Sequence, residues 1–371
     1  MASAPAIHIG KRIYPLFIAA LLVALAACSG SGSTGSATAM SAVIPGPSGP
    51  LESPTISVEA VPTADEAGLY VAYDLGYFKK EGLNVKISIT GGGETALPDL
   101  TDGKANIIAG NYVSFVQAQI QGKYNLKIIA DGSQMQPGNQ ALYVMPNSKF
   151  STVADLVKYH ATIGVNTLDN IGTLLVGSLL TENGYPNALY SATNPAGPVK
   201  LVVPTVPAPT PFVGAMTMLE NHQLDAAWLP EPYGTLAQEA GAVKLADFDQ
   251  GSLQNFPIGA YIGTQSWIEK NPNTVAAFLH ALQEGQEVAD TNRAQVESSL
   301  VKNTLLTTGF NKATAQQIAA LLTLDTYPLT MDVPTMQRVA DSMFQFNVDG
   351  KTISKAYDIL NMIQQEPGMV R

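Results

Sequence analysis

One stretch, residues 56–90, constrains the fold more than any other part of the chain. Ile56 and Val58 alternate with polar side chains, which is the period-2 pattern of a strand. Apolar side chains then recur at helical spacing as far as Gly82, and a second alternating segment, residues 83–90, follows. A strand, a crossover helix and a strand of these lengths form a parallel βαβ unit. The stretch therefore predicts an α/β fold.

The same unit predicts where a ligand site begins. In βαβ units, ligands bind beyond the carboxyl end of the strand, against the N-terminus of the helix that follows. That position holds Thr63, Asp65 and Glu66, which are also good residues for starting a helix. Later turns between predicted strands and helices add candidates of the same kind, with helix capping or tight turns as the alternative role. These candidates are Gly93, Glu94, Asn111, Tyr112, Asn166, Thr167 and Asp169.

A second motif lies in residues 225–233, which read D-A-A-W-L-P-E-P-Y. A short strand here ends in a glutamate with a proline on each side, and an aromatic residue opens the next helix. The prolines fix the backbone around Glu231 and favour a positioned side chain over a simple turn carboxylate. We therefore add Trp228, Glu231 and Tyr233 to the candidate binding residues.

The N-terminus has the pattern of an export signal. Lys11-Arg12 precede an apolar run of 15 residues, Ile13–Ala27, which is too short to span a bilayer and suits a signal-peptide core. The run ends in Leu25-Ala26-Ala27-Cys28, which resembles a bacterial lipobox. We predict a lipoprotein signal peptide over residues 1–28 and lipid anchoring through Cys28 at the outer face of the cell membrane. The alternative is an ordinary secretory signal with a chance cysteine.

Residues 29–53 are rich in Gly, Ser and Pro and predict a flexible linker. Beyond it, composition excludes several classes of function. Without Lys11 and Arg12, 18 of the 20 basic side chains remain against 30 acidic ones, with no basic cluster. A nucleic-acid partner is therefore not expected, because phosphate neutralisation needs clustered Lys and Arg.

Metal and cofactor chemistry is not predicted either. Cys28 is the only cysteine, which excludes disulfides, cysteine metal sites and a thiol nucleophile. His160, His222 and His280 each lack a second histidine three or four residues further on, so metal-ligand spacing is absent. We predict no metal, no cofactor and no catalytic residue.

Several segments resemble a known family in their order along the chain. Gly76-Tyr77-Phe78, Glu81–Val85 and residues 225–233 are similar to segments of the solute-binding proteins of ABC importers for nitrate, aliphatic sulfonates, taurine and thiamine-pyrimidine precursors. The resemblance covers roughly Thr55–Gln364. It implies a two-lobed periplasmic-binding-protein fold of type II, with a hinge and a central cleft.

The resemblance also implies the organisation of the body and its partners. The first lobe would comprise residues 54–145 and 252–371, and the second lobe residues 146–251. The protein would act as a monomer that captures a small solute in the cleft and delivers it to the transmembrane subunits of a permease.

The nature of the solute follows from the residues at the predicted cleft. No arginine lies between Arg12 and Arg293, whereas these loops carry carboxylates and aromatic rings. Such a cleft suits a small nitrogen-containing solute, pyrimidine-like or amine-bearing, better than an anion. An aliphatic sulfonate, taurine or nitrate is the second candidate.

Two alternatives belong to other classes of protein. A pyrimidine-synthase-like enzyme shares the fold, but its relatives use a cysteine-rich motif that this chain lacks. A membrane-tethered sensor or adhesion module would be favoured if Thr63, Trp228 and Glu231 were buried in packed cores instead of lining one cleft.

Overall fold

The structure is a computed structural model that describes residues 44–191, 193–346, 348 and 356–364, all within one compact unit, Ser41–Arg371. The described residues form two five-stranded sheets. In chain order the strands are β1 (Thr55–Ala60), β2 (Asn84–Ile89), β3 (Ile107–Asn111), β4 (Leu126–Gln134), β5 (Gln140–Val144), β6 (Thr162–Gly164), β7 (Lys200–Val202), β8 (Ala226–Pro230), β9 (Val243–Asp247) and β10 (Pro257–Thr264).

The two sheets have related topologies. The first has the order β2-β1-β3-β10-β4 and the second the order β7-β6-β8-β5-β9. In the first sheet β1 pairs in parallel with β2 and β3, and Val58 lies opposite both Ile87 and Ile107. In each sheet one strand, β10 or β5, runs antiparallel to both of its neighbours. The predicted α/β class and the parallel βαβ unit are confirmed.

Helices connect the strands and cover the sheets. Gly76, with φ 76°, divides the first predicted helix into two pieces because it takes up the left-handed conformation that glycine tolerates. The helices are α1 (Ala67–Asp74), α2 (Tyr77–Lys80), α3 (Gly93–Thr101), α4 (Tyr112–Ile120), α5 (Val153–Lys158), α6 (Ile171–Glu182), α7 (Pro211–Glu220), α8 (Tyr233–Glu239), α9 (Gln265–Lys270), α10 (Pro272–Thr291), α11 (Arg293–Leu300), α12 (Lys312–Leu321) and α13 (Val333–Gln345). None of the described helices has both the length and the apolar character needed to cross a bilayer.

From the sequence we predict a last helix around Ser354–Gln364, and the end of the described chain differs from this prediction. Within residues 356–364 the backbone forms only a short 3-10 turn, Ile359–Asn361, and Ile363 then makes a bridge to Ile128 of β4. Extended pairing with a sheet edge thus replaces the predicted helix in this segment.

Two chain segments pass between the sheets and run side by side. The first, residues 135–139, leads from β4 to β5, and the second, residues 248–256, leads from β9 to β10. Met135 N–H donates to the carbonyl oxygen of Phe256 at 2.9 Å. Because β5 pairs with β8 and β9, it belongs to the second sheet, which corrects the predicted boundary after residue 145. We propose that the boundary between the lobes lies within residues 135–139.

Residues 44–53 of the predicted flexible linker are held to the body by hydrogen bonds. Asn273 Oδ1 accepts hydrogen bonds from Ser48 N and Gly49 N at 3.1 and 2.9 Å. The Glu52 carboxylate accepts from the N–H groups of Asn273 and Thr274 at 3.2 and 2.9 Å, which satisfies free donors at the start of α10. Composition alone did not reveal these partners, which lie more than 200 residues away in sequence. The predicted signal peptide, Cys28 and residues 29–43 lie outside the described residues.

Candidate functional site

A small cavity of about 20 Å³ lies between the two sheets, which is roughly the space of one water molecule. It is formed where β1 and β3 of the first sheet and β6 and β8 of the second sheet end. This is the position that the sequence predicts for a ligand, beyond the carboxyl ends of parallel strands. The lining residues are Val61, Thr63, Asp65, Glu66, Gly110, Asn111, Asn166, Ile171, Phe212, Trp228, Pro230, Ile258 and Gly259.

Six of the predicted site residues line this cavity together, from both sheets. They are Thr63, Asp65, Glu66, Asn111, Asn166 and Trp228. The described lining includes no Lys, Arg or His side chain. The charged groups that face the cavity are therefore carboxyl groups.

Of the carboxyl groups that line the cavity, Glu66 is the one with a buried oxygen available to a ligand. It stands at the N-terminal boundary of α1, only 1% exposed, and its Oε2 atom has no hydrogen-bond partner. Burial, reinforced by the nearby charge of Asp65, raises the pKa of Glu66 well above its usual value. A buried acceptor without a partner costs free energy, and a donor group from a solute would relieve that cost.

Asp65 lies beside Glu66, but its oxygens are already engaged. Thr63 Oγ1 and Gln140 Nε2 donate to Asp65 at 3.0 and 3.1 Å. The carboxyl group of Asp325 lies near enough to interact electrostatically with it. Burial raises the pKa of Asp65 to about 6, against the lowering effect of these hydrogen bonds, and raises the pKa of Asp325 well above its usual value. The charge of Asp65 is one cause of the raised pKa of Asp325, because two neighbouring carboxyl groups cannot both ionise cheaply in a buried site.

Two aromatic rings of the second lobe form one wall of the cavity. Phe212 and Trp228 both line the cavity, with their rings edge to face at a centroid distance of 5.6 Å. Trp228 Nε1 donates to Gln140 Oε1 at 3.0 Å, so Gln140 links the indole to Asp65 across the two lobes. Trp228 is only 3% exposed, yet it lines the cavity and is not enclosed in the core of one lobe.

Glu231 does not point into this cavity. Its carboxylate accepts from Thr235 N at 3.0 Å and from Thr235 Oγ1 at 2.7 Å, so it caps the start of α8. Burial raises the pKa of Glu231 to about 7, although the bonds from Thr235 lower it. The side chain is held in place, as the flanking prolines predict, but its hydrogen bonds stabilise the start of α8. Its backbone carbonyl oxygen joins the lobes by accepting from Ala64 N at 2.8 Å.

Two predicted tyrosines also have structural contacts and do not line the cavity. Tyr233 is fully buried, and its hydroxyl donates to the carbonyl oxygen of Pro62 at 3.0 Å, which is a second direct bond between the lobes. Tyr112 is buried in the first lobe and donates to Asp131 Oδ1 at 2.9 Å. We therefore do not retain either residue as a candidate ligand contact.

A second polar cluster joins the lobes beside the cavity. Glu94 Oε2 accepts from Ser114 Oγ at 2.9 Å and from Asn170 Nδ2 at 3.3 Å. Gly93 packs against Phe115 and Ser114 so closely that a Cβ atom would lie 3.0–3.1 Å from them. The prediction named Glu94 and Gly93 but missed Ser114 and Asn170, whose side chains have the types that usually cap helices.

The remaining two predicted residues lie away from the cavity. Thr167 is half-buried with its hydroxyl 3.5 Å from Asn166 Oδ1, and Asp169 is exposed. Asp169 borders a different cavity of about 570 Å³ along α6. Conversely, Ile258 and Gly259 of β10 line the interlobe cavity but carried no recognisable signal, because a fully apolar strand looks the same whether or not it borders a site.

The described residues contain no group of three or more His, Cys, Asp or Glu side chains arranged to hold a metal ion. Two α/β lobes joined by paired crossover segments, with a cavity between them, define the periplasmic-binding-protein fold. The chain belongs to the NMT1/THI5-like family, whose model matches residues 63–294. The predicted family resemblance and fold are confirmed.

Solved structures agree with this fold. The alkanesulfonate-binding protein SsuA from Xanthomonas axonopodis, bound to MOPS, is 15% identical with a TM-score of 0.64, and the match covers 84% of this chain and 99% of that chain. The ligand-binding component of an ABC-type import system from Staphylococcus aureus, with zinc bound, is 12% identical with a TM-score of 0.66, covering 84% and 96%. The desulfurization enzyme DszB is 15% identical with a TM-score of 0.56, covering 81% and 94%. Among curated proteins, a sequence search finds no match.

The buried carboxyl groups predict an unusual dependence of stability on pH. Burial raises the pKa of Asp65 to about 6 and that of Asp131 to about 7, so the folded chain retains protons that the unfolded chain releases near pH 4. Because the folded state binds more protons, the free energy of unfolding should fall as pH rises from about 4 to about 7, by up to about 1.4 kcal/mol per pH unit for each group. Urea unfolding of the full-length chain across this range measures the effect.

The substitution Asp131→Asn keeps the shape of the side chain and removes its titration, so it should flatten the pH dependence. Asp341→Asn, at an exposed position, is the matched control and should leave the dependence unchanged. A free energy of unfolding that rises steadily from pH 4 to pH 7 would contradict the assignment.

Proposed function

We propose that this chain is the solute-binding protein of an ABC importer, working on the extracytoplasmic side of a bacterial membrane. The observation that carries the proposal is the interlobe cavity, to which both lobes contribute residues and where Glu66 keeps a buried oxygen without a partner. The S. aureus neighbour is the ligand-binding component of such a system, and its similarity over most of both chains supports the same role here.

Solute entry requires the lobes to separate. The cavity of about 20 Å³ is too small for any organic solute. The paired crossover segments at residues 135–139 and 248–256 provide a hinge about which the lobes can open. A solute that touches both lobes then favours closure, because its differential affinity shifts the open–closed equilibrium. The closed protein would dock on the transmembrane subunits of the permease as a monomer.

The solute that fits best is a small nitrogen-containing molecule, amine-bearing or pyrimidine-like. Asp65 and Glu66 offer acceptors for N–H groups, and Phe212 and Trp228 offer flat surfaces for a ring or a cation. An anion fits less well because an ionised carboxylate beside it, such as Asp65, would repel it: like charges about 4 Å apart repel by about 4 kcal/mol at an effective dielectric constant near 20. A sulfonate, taurine or nitrate remains the second candidate, supported by the alkanesulfonate-binding neighbour.

An enzyme role is the alternative in a different class, and the fold alone does not decide against it because DszB shares it. The described cavity lining contains no Cys, His, Ser or Lys that would supply a nucleophile and its base. We therefore favour binding and release without chemical change.

Calorimetry with a panel of pyrimidines, amines, taurine, alkanesulfonates and nitrate tests the proposed solute class. We expect tight binding of a nitrogen-containing solute, weakened at least about tenfold by Glu66→Gln, because a hydrogen bond to a charged group contributes about 1.5–3 kcal/mol. Asp131→Asn is a matched control, since Asp131 is also buried with an unpartnered oxygen but lies outside the cavity. Binding of the anions alone, with the same affinity in Glu66→Gln, would show that the polarity of the cleft has been misread.

We also propose that the chain is a lipoprotein anchored through Cys28, on the strength of the charged Lys11-Arg12 pair and the short apolar run before it. Because Ser48, Gly49 and Glu52 hold residues 44–53 to α10, only residues 29–43 would remain as tether. Cys28→Ala should leave an unprocessed precursor or release the protein from the membrane fraction. Processing and membrane retention equal to those of the unmodified chain would exclude the anchor.

A further inference from the structure

We propose that the cleft binds a positively charged organic solute in exchange for a proton that Glu66 carries in the free protein. The inference rests on the proposed function and narrows it, because it selects the cationic amine from the two kinds of nitrogen-containing solute. It also predicts how many protons are released when one solute molecule binds.

The starting point is the isolation of the Glu66 carboxyl group. The side chain is 1% exposed, lines the interlobe cavity and leaves Oε2 without a partner. An ionised carboxylate in this position would be a buried charge that is not balanced, which proteins avoid by neutralising the group. The geometry therefore favours the protonated acid when the cleft holds no cation.

The groups that surround Glu66 reinforce this state. Asp65 lies in the same turn, Tyr70 on α1, Tyr261 on β10 and Asp325 in the segment before Tyr327. All of these groups are acids, and none can supply a positive charge. Burial, together with the charge of Asp65, raises the pKa of Glu66 well above its usual value, in agreement with the geometry.

A cation in the cleft favours the ionised form of Glu66 over the protonated form. When a quaternary or protonated amine enters beside Glu66, the O–H bond of the acid breaks, the proton leaves to bulk water, and the carboxylate pairs with the cation. The net charge inside the cleft is the same before and after, so binding adds no buried charge that lacks a counter-charge. A neutral pyrimidine requires no such exchange.

Asp65 is less able to take over this role. Its two oxygens already accept hydrogen bonds from Thr63 and Gln140, whereas Glu66 has an oxygen free. Phe212 and Trp228 line the opposite wall of the cavity, and aromatic rings attract cations through their ring electrons. The acid of the first lobe and the rings of the second lobe would therefore hold the same charged group.

Calorimetry on the full-length chain can count the proton. The probes are choline, which has a fixed charge and no titrating group, ethanolamine, and 3,3-dimethylbutan-1-ol, the neutral isostere of choline. Comparing the heat of binding in buffers with different ionisation enthalpies should show release of about one proton per choline or ethanolamine. The affinity should rise about tenfold per pH unit while the pH stays below the pKa of Glu66 in the free protein. The neutral isostere should bind weakly and release no proton.

Two variants and one direct observation complete the test. Glu66→Gln should abolish the proton release and weaken cation binding, whereas Asp131→Asn should preserve both. Infrared spectroscopy of the free chain at neutral pH should show the carbonyl band of a protonated carboxylic acid that is lost in Glu66→Gln and kept in Asp131→Asn. This last measurement needs no solute.

The outcomes separate this inference from the proposed function. Cation binding without proton release would overturn the exchange, and so would the absence of an infrared band that depends on Glu66. Binding of neutral or anionic solutes while both cations fail would also overturn it, but it would leave the solute-binding role intact. Failure of every solute in the wider panel would contradict the proposed function itself.

Discussion

The arrangement of the described chain depends on hydrogen bonds that polar groups of the two lobes form with each other across the cleft. The Ala64 N–H donates to the carbonyl oxygen of Glu231, and the Tyr233 hydroxyl donates to that of Pro62. Gln140 reaches Asp65 from the second lobe. Each of these groups would be left without a partner in a dry interface, so the bonds must form together when the lobes meet. A solute can enter only if they separate, and its own polar groups then replace some of them.

The acidity of the cleft follows from the same arrangement. Asp65, Glu66 and Asp325 are drawn together where the first lobe meets the crossover segments, and none of the described lining residues is basic. Carboxyl groups that are not matched by a positive charge are tolerated in a buried site only when they hold protons. In the proposed function, a cation that enters the cleft would displace one of these protons, which suits a binding site for an amine better than a site for an anion.

The sequence predicted the fold well because the relevant signals are local. The alternation in residues 56–60 and 83–90 and the glycine at position 82 are enough to define the first βαβ unit, and the structure confirms it. Thr63 and Glu66, which line the interlobe cavity, were predicted from the rule that ligands gather beyond strand ends, which depends only on chain order.

Sequence reasoning failed where a residue's contact lies far away in sequence, or where the residues involved have no distinctive pattern. Glu231 was assigned to the cleft because its flanking prolines indicate that its side chain is held in place. They do not indicate that the carboxylate accepts its hydrogen bonds from Thr235. The attachment of Glu52 to α10 joins residues more than 200 positions apart, which no local pattern reveals. Ile258 borders the cavity on a strand whose apolar sequence gives no sign of it.

The central claim is that two lobes joined at a hinge close on a solute. Small-angle X-ray scattering of the full-length chain, measured with and without a solute that calorimetry shows to bind, tests this claim directly. The account predicts a smaller radius of gyration in the bound state, because the solute stabilises the closed arrangement. Identical scattering curves at saturating solute would contradict it.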